Sequence, residues 1–252
     1  MNLSVSNLAW NNKDLDVTLN ILEKYNIKNV EGVLSKINKW DKIDNTQLID
    51  FKNVLESFGV KIPSIQSIFY DVDIDSLNNK NKFIQHINKL IEFSKILGFD
   101  VLVFGSPNLR NNFDFNTIVD VLTDVNKLLS ENGIIMCIEP NSKIYNGEYF
   151  NTITEIINFL NLNNFSNIKT MIDTHNLLLE SEDPIEIIEK YYNHIYHIHI
   201  SENKLLPLSD LEFHKKFSEK IKSLGYENII TYELLPCDNL EEKIKVFTKI
   251  YN

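Results

Sequence analysis

Four stretches in the second half of the sequence end an apolar run on residues able to bind a cation or carry a proton. They are Cys137-Ile138-Glu139-Pro140-Asn141, Met171-Ile172-Asp173-Thr174-His175-Asn176, His197-Ile198-His199-Ile200-Ser201-Glu202 and Thr231-Tyr232-Glu233-Leu234. An apolar run implies burial, and buried carboxylates repel one another and lose hydration unless something positive pairs with them. No Lys or Arg lies within these stretches. A divalent cation would meet the need, and three carboxylates with one imidazole suit Mn²⁺, Mg²⁺, Co²⁺ or Zn²⁺. The set lacks the thiolates that would single out zinc. Glu139, Asp173, His199 and Glu233 are therefore expected to hold one divalent metal ion. His197 and His199 share a face of their strand. His199 is nearer the strand end and is the better ligand, whereas His197 reads as a hydrogen-bonded core histidine. Any one of these acidic ends could be a cap or a loop salt bridge; the argument is in all four occurring in order.

Such residues meet only if the chain brings the ends of their runs to one rim. Short apolar, β-rich runs alternate with helical periodicity along the whole sequence. The runs predict strands at Leu3–Asn7, Asn29–Leu34, Lys61–Ser67, Val101–Gly105, Ile134–Glu139, Lys169–Asp173, Ile195–Ile200 and Ile229–Glu233. Helical spacing falls near 14–25, 46–58, 80–97, 115–132, 151–161, 184–192, 210–224 and 239–251. Gly59, Gly98, Gly133 and Gly225 stand where helices need a left-handed cap before the next strand. Strands apolar on both faces, each followed by a helix, imply a parallel sheet. Eight such units in 252 residues fit a single-domain α/β fold, the (β/α)8 TIM barrel, whose active site lies at the C-terminal ends of the strands. No Gly-x-Gly-x-x-Gly follows the first strand, which counts against a dinucleotide-binding sheet.

Composition narrows the function. With 25 basic and 35 acidic residues the net charge is −10, which opposes binding to a phosphate backbone, so no nucleic-acid partner is expected. Two cysteines, Cys137 and Cys237, are too few for a disulfide framework. No run approaches the ~20 apolar residues of a membrane span, and the first residues lack the pattern of a signal peptide. A reducing cytoplasm is the default location.

Weaker polar candidates follow the early strands. Glu31 and Gln66 end strands two and three and could bind substrate hydroxyls or bond to loop backbone. Arg110, just past strand four, could hold a phosphate or carboxylate bidentately or form a surface salt bridge. Lys36, Lys143 and Lys204 read as solvated, and His86 and His194 as structural or surface residues.

The whole chain resembles the xylose isomerase-like TIM-barrel superfamily, close to its sugar phosphate isomerases/epimerases. The matching pieces are Ser6-Asn7-Leu8-Ala9-Trp10, Val30-Glu31-Gly32, Ile65-Gln66-Ser67 and Val103-Phe104-Gly105-Ser106-Pro107 with Arg110. Ile138-Glu139-Pro140-Asn141, Ile172-Asp173-Thr174, His197-Ile198-His199 with Ser201-Glu202, and Tyr232-Glu233 complete them. The resemblance implies that Glu139, Asp173, His199 and Glu233 hold one metal and that Glu139 and Glu233 flank the substrate as acid/base groups. Relatives acting on free ketoses often carry a substrate-binding histidine three residues after the strand-six Asp. That place is Asn176 here, and His175, one position earlier, becomes the substrate-binding candidate. Such relatives also tend to carry a Glu six residues past the strand-five Glu and an Arg six past the strand-seven His; those positions are Tyr145 and Leu205 here. His214 recurs in near relatives without an evident role.

The implied activity is metal-dependent isomerisation or epimerisation of a sugar or sugar phosphate by proton transfer through a metal-stabilised enediolate. The partner is then a small-molecule substrate, and a homo-oligomer is compatible with the family. An inosose-type dehydratase is the alternative, since an enediolate can expel a β-hydroxyl. An AP endonuclease-like phosphodiesterase needs more histidine ligands on early strands, which supply none. A sugar-binding barrel without chemistry has no need of two opposed carboxylates.

Overall fold

A computed structural model describes residues 1–72, 79–110 and 114–252. Eight strands form a closed parallel barrel in sequence order: β1 (Asn2–Ser6), β2 (Asn29–Val33), β3 (Lys61–Gln66), β4 (Val101–Phe104), β5 (Ile135–Ile138), β6 (Ile168–Asp173), β7 (Ile195–Ile200) and β8 (Ile229–Tyr232). The ring closes where β1 pairs with β8, Leu3 opposite Ile230 and Val5 opposite Tyr232. All eight expected strands are present, their ends within two residues of the expectation.

Around the barrel lie α1 (Leu15–Lys24), α2 (Asn45–Ser57), α3 (Lys80–Leu97), α4 (Pro107–Arg110), α5 (Phe115–Asn132), α6 (Ile153–Asn163), α7 (Thr174–Leu179), α8 (Pro184–Tyr191), α9 (Leu211–Ser223) and α10 (Leu240–Tyr251). The short α4 and α7 have no counterpart among the expected helices. α3 shows how the sequence writes an outer helix. Asn79 caps its start, accepting from the Lys82 amide at 3.0 Å. Phe83, Ile87, Leu90, Ile91 and Leu97 bury one face at helical spacing. Gly98, at φ 88°, ends it in the left-handed region that a side chain would strain. Burying each such side chain stabilises the fold by roughly 1.5–3 kcal/mol, so Leu90→Ala alone should cost about 2–5 kcal/mol.

The strands' outward side chains pack on the helices in one large apolar core. Val101, Val103, Cys137 and Met171 form a second, small cluster on the alternate, inward positions. The lumen above and beside it is polar: Ser4, Ser6, Glu31, Ser64, Gln66, His197, His199 and Thr231 are all buried. Among the described residues no helix is long and apolar enough to cross a membrane.

Candidate metal centre

Strand alternation sets the depth of each side chain. Cys137, Met171 and His197 occupy one inward layer; Glu139, Asp173 and His199 are two residues further on, one layer nearer the rim. The register agrees, with Met171 opposite His197 and Asp173 opposite His199. Glu139 and Glu233 each follow the last strand residue, and their amides donate to Phe104 and Ile200 carbonyls at 3.0 Å. One ligand atom from each of Glu139, Asp173, His199 and Glu233 lies within 4.8 Å of the others. The structure therefore brings together all four residues expected at the centre.

His199 is the hub. Its Nε2 sits 2.7 Å from Glu31 Oε1. Its Nδ1 lies 3.2 Å from Glu139 Oε1, 3.4 Å from Glu233 Oε2 and 4.0 Å from Asp173 Oδ2. That nitrogen is buried and has no hydrogen bond. A buried imidazole nitrogen without a partner, ringed by three carboxylates, is a donor set that fits a divalent cation. Burial opposes charge on the His199 ring, but the Glu31 and Glu233 carboxylates overcome it and raise its pKa well above the ordinary value. A proton there offsets part of the negative charge, and a cation would have to displace it from Nδ1.

Asp173 is held twice. It caps α7 by accepting from the Asn176 amide at 2.7 Å, and Ser201 Oγ donates to its two oxygens at 2.8 and 2.9 Å. Burial, then the charges of Glu139 and Glu233, push its carboxyl up to about 7. The sequence assigned Ser201 no role; the signal was its position two residues past His199, which β alternation turns toward the same rim.

Glu31 corrects an expectation. It reaches no open space, being fully buried. Its oxygens are taken by Ser64 Oγ at 2.6 Å, His197 Nε2 at 2.7 Å and His199 Nε2 at 2.7 Å. Burial raises its carboxyl, but His199 and His197 outweigh that and hold it well below the usual carboxylate range. Glu31 thus fixes the ring of His199 so that Nδ1 faces the carboxylates, the support that metal-binding histidines ordinarily receive. His197 is the core histidine expected.

Arg110 is a second correction. It is fully buried, and it is the chain's only arginine. Its guanidinium donates to the carbonyls of Gly105 and Glu139 at 2.7 Å, Phe150 at 2.9 Å, and Phe104 and Tyr149 at 3.3 Å. The fork expected to hold a substrate anion is spent tying the ends of β4 and β5 to the 149–150 loop. Burial lowers its pKa to about 10, so it remains charged.

Gln66 lines the cavity beside Glu139 and Glu233, its Nε2 fixed on Ser6 Oγ at 2.6 Å. His175 is half-buried outside the four-residue cluster, and its Nε2 has no partner. Burial lowers its pKa, which favours a neutral ring. Tyr145 stands within electrostatic reach of the centre: burial and the charges of Asp173, Glu139 and Glu233 raise its phenol. His214 is structural. With the Ser209 and Asp210 amides it bonds to Glu202 Oε1, and it reaches Tyr251 OH at 2.8 Å.

Gly105 makes room for the centre, because a Cβ there would overlap Glu139 Oε2. A cavity of about 340 Å³ opens over Glu139 and Glu233 between the loops after β3 and β4.

A family model described as xylose isomerase-like TIM barrel matches residues 20–250. Among solved structures, an AP endonuclease of family 2 from Brucella melitensis is 14% identical, covering 100% of both chains at a TM-score of 0.76. D-psicose 3-epimerase with D-tagatose, from Clostridium cellulolyticum H10, is 17% identical over 99% of this chain and 91% of that one, at 0.70. The IolI protein with a bound zinc atom is 18% identical over 99% and 96%, also at 0.70. These likenesses are of fold. No curated protein matches the sequence.

Proposed function

Because this chain belongs to the xylose isomerase-like TIM barrel family, we propose that it is a divalent-metal-dependent isomerase or epimerase of a sugar or sugar phosphate. The observation that carries this reading is the partnerless Nδ1 of His199 with the carboxylates of Glu139, Asp173 and Glu233 around it. A divalent cation held there supplies Lewis-acid polarisation of a carbonyl oxygen and its neighbouring hydroxyl.

The chain's own residues do the rest. Glu139 and Glu233 come from strands separated by two others, β6 and β7, and both line the cavity. One carboxylate takes the proton from the carbon beside the carbonyl, and that C–H electron pair forms the enediolate double bond. The other carboxylate, in its acid form, returns a proton, and exchange with water resets the pair. Return to the opposite face of the same carbon epimerises; return to the former carbonyl carbon isomerises, the neighbouring hydroxyl giving up its O–H proton to form the new carbonyl while the former carbonyl oxygen takes one up to become the hydroxyl. Asp173, shorter and already bonded to Ser201 and Asn176, holds rather than transfers.

The test is NMR in D₂O on pentoses, hexoses, tetrulose phosphates and inososes with Mn²⁺ added. Deuterium on the carbon beside the carbonyl is expected, and loss of water from the product would assign a dehydratase instead. Glu139→Gln and Glu233→Gln should each abolish turnover while keeping some metal binding. Turnover at the parent rate in either variant would refute the two-base mechanism.

A further inference from the structure

We propose that the substrate of this centre is an unphosphorylated sugar of monosaccharide size, held by neutral polar groups. The inference rests on the isomerase or epimerase reading and narrows it. At about 340 Å³ the cavity is at the small end of the ~300–1,000 Å³ that ligand sites span. Among the described residues that line it, the charged side chains are Asp71, Glu139 and Glu233, all acidic. Gln66, Ser67 and Asn108 supply neutral polar groups, and Phe69 and Tyr70 supply aromatic surface, a combination suited to a ring of hydroxyls with apolar C–H faces.

A phosphate monoester would bring about −1.5 to −2 charges at pH 7 into this lining. Proteins meet such a charge with an Arg fork, a lysine, or free amides at a helix start. Among the described residues none is offered to this cavity. Arg110 is buried and committed to backbone carbonyls. Lys36 Nζ is bonded to the Trp10 carbonyl at 2.8 Å and faces a different pocket. Lys143 and Lys204 stand exposed on the turns after β5 and β7 and are not part of the lining. Of the two short helices at the rim, α4 has Pro107, which has no N–H, at its first position and the Leu109 amide already donating to the Ser106 carbonyl at 3.1 Å, and the start of α7 is capped by Asp173.

The experiment is calorimetric titration of the Mn²⁺-loaded protein with D-fructose, D-ribulose, D-fructose 6-phosphate and D-ribulose 5-phosphate, with D₂O exchange on the same samples. At least one free ketose should bind tenfold or more tighter than its own phosphate ester. Asn108→Lys, an exposed change within the lining, should narrow or reverse that ratio. Tighter binding of the esters by the unaltered protein, or saturable binding of none of the four, would overturn the assignment. Binding of a free ketose without deuterium exchange would support the cavity assignment and count against the proton-transfer reading.

Discussion

Arg110→Lys keeps a positive charge but loses the planar fork that reaches several carbonyls at once. Each carbonyl left unsatisfied in a buried place costs about 1–3 kcal/mol, so Arg110→Lys and Arg110→Met should both destabilise by roughly 3–5 kcal/mol in urea unfolding. A lysine variant as stable as the parent would remove the strut role. His86 supplies a pH test. Its Nε2 donates to the Ile68 carbonyl at 2.7 Å, its ring lies against Trp40 and Phe69, and burial lowers its pKa from 6.5 to about 4. Between those values the unfolded chain binds more protons, so this group's contribution to stability is lost as pH falls from 6.5 toward 4, by roughly 3 kcal/mol at most. His86→Phe keeps the ring contacts and should flatten that part of the profile, read as urea midpoints at pH 4.5 and 7 against the parent. Residue type and position along a strand were legible for Glu139, Asp173, His199 and Glu233, because each ends its own apolar run. The jobs of Glu31 and Arg110 were not. A sequence shows that a charge follows a strand but not whether its side chain meets solvent, a histidine 168 positions away, or five carbonyls.

The regular elements were written more plainly than their decorations. The apolar periodicity of α3 and α5 places both helices at 80–97 and 115–132, as found, because a buried stripe, an N-cap and a C-terminal glycine agree at each end. Gly133, at φ 67°, closes α5 in the same way as Gly98 closes α3. α4 and α7 are 4 and 6 residues long, too short to show a period, and α7 starts where Asp173 caps it, accepting from the Asn176 amide. The end of β4 gives an element-scale prediction. A methyl at Gly105 would displace the Glu139 carboxylate without touching the ladder between β4 and β5. Gly105→Ala should therefore fold, with a circular dichroism spectrum like the parent's, yet lose at least tenfold in Mn²⁺ affinity by calorimetry. Unchanged affinity would mean that Glu139 is not required at the centre.

For the molecule as a whole, a cation that binds only the folded barrel must stabilise it by mass action. At a hundredfold excess over Kd the gain is about 2.7 kcal/mol, which for a chain of 252 residues should raise Tm by roughly 5–10 °C. Mn²⁺, Co²⁺, Zn²⁺ and Mg²⁺ added to stripped protein test this by scanning calorimetry, and an unmoved Tm with all of them would reject the site. The ring order adds a consequence in time. Glu31 belongs to β2, whereas His199, with the three carboxylates around it, belongs to the last four strands. At roughly 5–20 residues per second, a ribosome makes Glu31 some ten to thirty seconds before the histidine it will orient, and Glu233 later still. No nascent fragment holds a complete ligand set until β8 has emerged to meet β1. A cation held at this centre would thus be a late arrival, taken from whatever supply the finished barrel encounters, and its identity would be decided after translation.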